Sequence, residues 1–299
     1  THTPTNTSTP TVTPTATNTP TPFVKIDVHG LVPVGQAPQG IAVDSGRRLV
    51  YVANSEGNNV TVLDADTLAY VSTYNLANTS GPDGVTVDPA RNRLYVAGRF
   101  SNNLTVLEFG DASGSQWQTP VGSQPKAIAL DKSLSRLFVT NSGDNSLNII
   151  LPDSGANVNL PGGTQPTFLL FDPVSNLFYV TNRLDNGVTV YDVEGLPVQT
   201  LVTGQAPYGL AFDEVQRRLY VANPMSNAVS VILVGDDGLL TNLGDVRMNC
   251  QPQNVAVNAN TGHLFVLCPD ENRVHTYDSP SYRYLGWLPT GRGAGESIV

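Results

Sequence analysis

The chain has 299 residues, a formal net charge of −9 and only 14% charged residues. That balance argues against a general nucleic-acid binder, whose target selects basic surfaces. No apolar run approaches the roughly 20 residues a helix needs to span a bilayer.

Residues 1–22 read THTPTNTSTPTVTPTATNTPTP, with Thr at every odd position and five prolines. Val12 is the one large apolar side chain there, so nothing offsets the entropy of ordering the tract. The composition predicts an extended, partly polyproline-like spacer. Such tracts serve as plain linkers or carry O-linked sugars and hold a domain off a cell surface. The sequence opens inside the spacer, without an initiator Met, so a signal or anchor is expected upstream. The expected location is extracellular or attached to the cell surface, with residues 23–299 as the folded domain.

From Leu31 onward one pattern recurs. Six copies align on the prolines at 38, 82, 125, 166, 207 and 252, spaced 44, 43, 41, 41 and 45 residues apart. Six residues after each Pro comes Asp44, Asp88, Asp131, Asp172, Asp213 or Asn258. Seven further on stands an aromatic, at Tyr51, Tyr95, Phe138, Tyr179, Tyr220 and Phe265, and seven beyond that an Asn, at 58, 102, 145, 186, 227 and 272.

Each position has a physical reading. A short apolar strand such as GIAVD ends on the Asp of a reversing hairpin. RLYVAN alternates as a second strand. The Asn before VTVL fits a tight turn, because Asn tolerates left-handed dihedrals. A weaker fourth strand, AYVSTYNL or RYLGWLP, closes the unit. Four antiparallel strands per roughly 40–45 residues is the pattern of a β-propeller blade, which buries its faces only against its neighbours.

The YVAN and YVTN segments followed by N-x-V resemble the YVTN β-propeller repeat family over residues 31–299. The resemblance implies a seven-bladed propeller, often on exported or surface-attached proteins, and no single activity, since members include surface-layer proteins, binding modules and relatives of lactonases. The expected fold is therefore all-β: six complete blades plus parts of a seventh. FVKIDVHG before Leu31 reads as a fourth strand and ESIV at the end as a first strand. That places Val24 to Val28 at the periphery, Ile298 near the axis and an incomplete ring between them.

Residues repeated in every blade serve the scaffold, so a site is expected where the repeat breaks. The Asp series belongs to hairpin turns and is too dispersed to share one metal ion. On the end carrying the fourth-to-first and second-to-third strand connections, blade two loses its motif Asn to Gly98 and gains Arg99 and Phe100. Blade three adds Lys126, blade four Arg183 and blade five Tyr208. These five are the candidate ligand-binding residues, suited to a carboxylate, a sugar or a peptide. The expected partner is a protein or carbohydrate at this rim, with no cofactor and no metal.

The histidines, at 2, 29, 263 and 275, all lie off that rim. No nucleophile elbow, CxxC or phosphate loop occurs, so no catalytic residue is assigned. The expected role is a non-catalytic binding module. The alternatives are a structural surface-layer unit and a lactonase-like hydrolase, because VSVILVGDDGLLTNLGDV at 229–246 looks like blades of the propeller lactonases. The two cysteines, Cys250 and Cys268, fall at the same end of one blade, at a separation that permits either a disulfide or two free thiols.

Overall fold

The computed structural model describes residues 32–109, 115–133 and 135–290. Both edges expected of a seventh blade, and the Thr/Pro tract, lie outside these residues. Within them the chain forms six four-stranded antiparallel sheets, each in sequential strand order. They occupy residues 38–75, 82–120, 125–161, 166–202, 210–247 and 254–289. The first strands of successive sheets pack on one another, and the fourth strands scarcely meet. First strands therefore line an axis and fourth strands face solvent, which makes the sheets the blades of a propeller.

Blade one shows why the repeat takes this shape. Its strands are Pro38–Asp44, Leu49–Asn54, Asn59–Asp64 and Tyr70–Asn75. Asp44 Oδ1 accepts the N–H groups of Gly46 and Arg47, both at 3.0 Å, and Arg48 then turns the chain with φ 58°. The carboxylate replaces the backbone acceptors that a hairpin lacks. Asp88, Asp213 and Asn258 bind the corresponding pairs of N–H groups in their own hairpins. The Asp series is structural.

The Asn series does two things. All six take left-handed dihedrals, with φ from 48° to 59°. Four of them also reach the next blade. The Oδ1 atoms of Asn58, Asn102, Asn145 and Asn186 accept the N–H of Gly81, Gln124, Gln165 and Ala206 at 2.8–3.0 Å. Each acceptor thus fixes the residue before the following anchor proline.

Second and third strands carry the core. Tyr51, Tyr95, Tyr179 and Tyr220 are the largest fully buried side chains. Five apolar clusters join blade one to two, two to three, three to four, four to five and five to six. A sixth, smaller cluster around Val50, Val52 and Leu63 lies on the side of blade one away from blade two. Among the described residues no comparable cluster joins blade six to blade one. Burying one Val or Leu side chain contributes about 1.5–3 kcal/mol, so each interblade cluster dominates the cohesion of its pair.

Candidate functional site

The residue after each anchor proline lies in the opening of its blade's inner strand, or just before it in blades five and six: Gln39, Asp83, Lys126, Thr167, Tyr208 and Gln253. The backbone places equivalent atoms, while the side chains differ in charge and shape. Four of them, Lys126, Thr167, Tyr208 and Gln253, line a cavity of about 510 Å³. Arg99 and Arg183 join them from the second-to-third strand loops of blades two and four, and Gln124, Gln165 and Gln251 from the residues just before the prolines. A narrower hollow of about 210 Å³ lies toward the axis, walled by Asp83 and again by Lys126.

Lys126 links the two spaces. Its Nζ stands 3.8 Å from Asp83 Oδ2 and 4.8 Å from the centre of the Tyr208 ring. Arg99 Nη1 approaches the same carboxylate oxygen, also at 3.8 Å. Asp83 and Lys126 are both more than nine-tenths buried. Desolvated charges persist only when paired, so Asp83 holds Lys126 at the floor. A hydroxyl network supports that floor: Thr181 Oγ1 donates to Tyr208 O at 2.8 Å and meets Thr167 Oγ1 at 2.8 Å.

Arg183 differs from the other two cations. Among the described residues, no carboxylate pairs with its guanidinium. Asp185, beside it, is committed instead to the Thr164 N–H at 2.6 Å. On the opposite wall Asp270 accepts the Gln251 N–H at 3.1 Å. The lining thus holds three cations and one carboxylate, with Asp83 just beneath, in a chain of net charge −9.

The structure brings Arg99, Lys126, Arg183 and Tyr208 to one cavity, but not Phe100. That ring is largely exposed and packs on Arg99 and on Gly81, where an added Cβ would lie 2.3 Å from Phe100 Cδ2. Tyr208 shows little surface, since its ring is covered by Lys126 and Phe168. Thr167 and Gln253 escape the sequence reading, although they occupy the same column as Asp83 and Lys126. Aligning the residue after every anchor proline would have found both.

Cys250 and Cys268 are joined as a disulfide with Cα atoms 5.9 Å apart. The link holds the cavity wall of blade six, because Gln251 and Pro269 follow its two ends and line the space.

Comparison with known proteins agrees with this architecture. A family model described as "Lactonase, 7-bladed beta-propeller" matches residues 32–157, and one described as "Arylesterase" matches 165–282. The chain is a β-propeller. Its described residues supply six blades, and the matching lactonase model is of a seven-bladed plan.

Several solved propellers superpose over most of their length. Hydrazine synthase from Kuenenia stuttgartiensis does so with TM-score 0.74 and 16% identity, covering 89% of this chain and 90% of its own. Virginiamycin B lyase from Staphylococcus aureus gives 0.71 and 16%, covering 85% and 84%. A protein described as a candidate 6-phosphogluconolactonase from Bacteroides fragilis gives 0.71 and 16%, covering 86% of each chain. At such identity these propellers share the fold alone. No curated protein matches the sequence.

Proposed function

We propose that this propeller is an exported binding module that takes a carboxylate-bearing, hydroxyl-rich ligand, such as a sugar acid at the end of a glycan, in the cavity at its loop end. One observation carries the reading. Arg99, Lys126 and Arg183, from three blades, converge on one space in an otherwise acidic chain. Guanidinium groups grip carboxylates in a planar fork, and the amides of Gln124, Gln165, Gln251 and Gln253 suit ring hydroxyls. The Thr/Pro tract fits a role in holding the domain away from a surface.

Calorimetry against a panel of uronic and other sugar acids tests this. At least one acid should bind, with affinity falling as salt rises. Arg99→Ala combined with Arg183→Ala should weaken it about 10-fold or more, since a hydrogen bond to a charged group contributes roughly 1.5–3 kcal/mol. Full affinity in the double variant would move the site elsewhere.

A second reading, lactone or aryl-ester hydrolysis, is favoured by the names of the two matching families. In it Asp83 or Asp270 would take a proton from water attacking the carbonyl carbon, and an arginine would hold the oxyanion. The hydroxy acid released from a lactone is an anion of the kind this cavity suits. Hydrolysis of sugar lactones or phenyl acetate that falls about 100-fold in Asp83→Asn would establish it. Binding of acids without turnover would eliminate it and leave the first reading standing.

A further inference from the structure

Blade six departs from the repeat at three positions at once, and the three replacements meet in space. In the other blades the second strand ends on Asn54, Gly98, Asn141, Asn182 or Asn223, and the third strand carries Thr61, Thr105, Asn148, Thr189 or Ser230 diagonally across from it, two residues beyond its paired position. Where the Asn is present it bonds that partner, at 2.9 Å for Asn54 to Thr61, 2.7 Å for Asn141 to Asn148, 2.8 Å for Asn182 to Thr189 and 2.9 Å for Asn223 to Ser230. Blade six puts Cys268 in the Asn column and His275 in the partner column. It also puts Cys250 two residues before its anchor proline, where the others have Gln36, Ser80, Ser123, Thr164 and Gln205. A disulfide alone needs two changes. The third, a histidine, adds nothing to a sulfur bridge.

The two sulfurs and a ring nitrogen of His275 lie within 4.8 Å of one another. Ligands around a tetrahedral zinc ion, with bonds of about 2.3 Å to sulfur and 2.0 Å to nitrogen, stand roughly 3.5–3.8 Å apart. Once the sulfur–sulfur bond is broken, the two sulfurs would part and the ring nitrogen would close in to reach those separations, both by side-chain rotation. Glu271 Oε2 sits 3.0 Å from His275 Nε2, giving the ring the carboxylate partner that metal-bound histidines commonly carry. Both cysteines are buried and His275 is mostly so, which excludes competing water.

We propose that, once its disulfide is reduced, blade six becomes a binding site for a borderline-soft divalent cation such as Zn²⁺, with Cys250, Cys268 and His275 as ligands and Glu271 orienting the histidine. The chemistry balances. A dithiol breaks the sulfur–sulfur bond by supplying two electrons and two protons as it closes to its own disulfide. A phosphine supplies the electron pair and leaves as its oxide, with water giving the oxygen and the two protons, and either route leaves two thiols. The cation then binds them as thiolates and releases the two protons. Oxidised and metal-bound states exclude each other, so redox conditions choose between a covalent tie and a metal tie across the wall that carries Gln251 and Asp270.

Cobalt(II) titration of tag-free protein, with and without a phosphine reductant, tests this. The reduced protein should take one Co²⁺ per chain with sulfur-to-cobalt charge-transfer absorption, displaced by Zn²⁺, and the oxidised protein should show none. His275→Ala keeps both cysteines and should bind at least about 10-fold more weakly, and Glu271→Gln should lose affinity by a similar factor. Circular dichroism monitors the fold throughout. Absence of the charge-transfer band, unfolding of the reduced chain in place of binding, or equal affinity in His275→Ala would each overturn the proposal.

Discussion

The two ends of this propeller are built from one backbone and used in opposite ways. At the hairpin end Asp44, Asp88 and Asp213 satisfy the same N–H groups in blade after blade, and arginines close on the first two of those carboxylates. At the loop end the residue after each proline changes from Gln to Asp, Lys, Thr, Tyr and back to Gln. Repetition gives every blade the same stability, but six identical rims would define no particular ligand. Substitutions at the hairpin end should therefore cost stability, and substitutions at the loop end should cost binding.

The sharpest way to break the hairpin end is at Asp172. Its carboxylate, buried at the boundary of blades four and five, takes a two-pronged contact from Arg217 at 3.0 and 2.7 Å and another bond from Ser175 at 2.7 Å. Burial alone would raise its pKa, but the bonds from Arg217, Ser175 and the Val174 N–H outweigh it and hold the carboxyl below its usual value of 3.8. Asp172→Ala leaves Arg217 without its partner and should destabilise the protein by about 3 kcal/mol, the lower end for a broken buried pair because Arg217 keeps some contact with water. Urea unfolding measures it. Because the folded pKa is depressed, the stabilisation is complete above the unfolded value and is lost as pH falls through the folded one. Asp172→Asn should accordingly flatten the acid limb of the stability profile below about pH 4.

Blade six offers a comparable test at the loop end. The Cys250–Cys268 link closes a loop with a sequence separation of 18, and such a loop restricts the unfolded chain by about 3 kcal/mol. Denatured but unreduced protein should titrate no free thiol, and reduction should lower the unfolding midpoint by the corresponding amount. Two free thiols per chain would refute the bridge.

Much of the scaffold can be read from residue type alone. The aromatic column announces the core, and Asn58 and its counterparts announce left-handed turns, because both are properties of one residue in its own strand or turn. What the sequence hides is contact between repeats. Asn102 is legible as a turn, but its bond to Gln124 joins two blades and has no local signal. The cations of the cavity are legible as breaks in the pattern, whereas Thr167 and Gln253 are uncharged and unremarkable beside their prolines. Phe100 shares the rim loop with Arg99, but its side chain turns onto Gly81 and not into the cavity, which loop position alone does not reveal. His275 is passed over when histidines are judged by distance from the rim and not by the column they occupy.

One exchange between repeats is visible only with both facts in hand. Blades one, three, four and five have Gly three residues before the proline, and a Cβ there would strike the motif Asn, at 2.3 Å from Asn182 Cγ for Gly163. Blade two has Thr79 at that place and Gly98 in place of the Asn, and Thr79 bonds Thr105 in its stead. Small and large have traded sides. Gly163→Ala should therefore cost about 1–3 kcal/mol by overpacking. Combined with Asn182→Gly, which recreates the arrangement of blade two, the pair should be less destabilising than the sum of the singles by about 0.5 kcal/mol or more. Additive losses in a double-mutant cycle would show that the two positions do not compensate.

The smallest effect on stability belongs to the residue on which most of the binding should depend. Arg183 lines the cavity, and no carboxylate among the described residues pairs with its guanidinium. Its backbone N–H bonds Gln165 O at 3.0 Å, a contact that any residue keeps. Removing the side chain therefore breaks no tie in the scaffold, and Arg183→Ala should shift the unfolding free energy by no more than about 0.5 kcal/mol. Lys126→Ala is the contrasting case in the same cavity, because it strips a buried partner from Asp83 and should cost both stability and binding. Thermal unfolding of the two variants, read beside their affinity for whichever sugar acid the wild type retains, separates a cation that holds the propeller from one that is left for a ligand. If Arg183→Ala lowers the unfolding midpoint as far as Lys126→Ala does, Arg183 is part of the scaffold, and the division between the two ends fails at the residue where it is drawn most sharply.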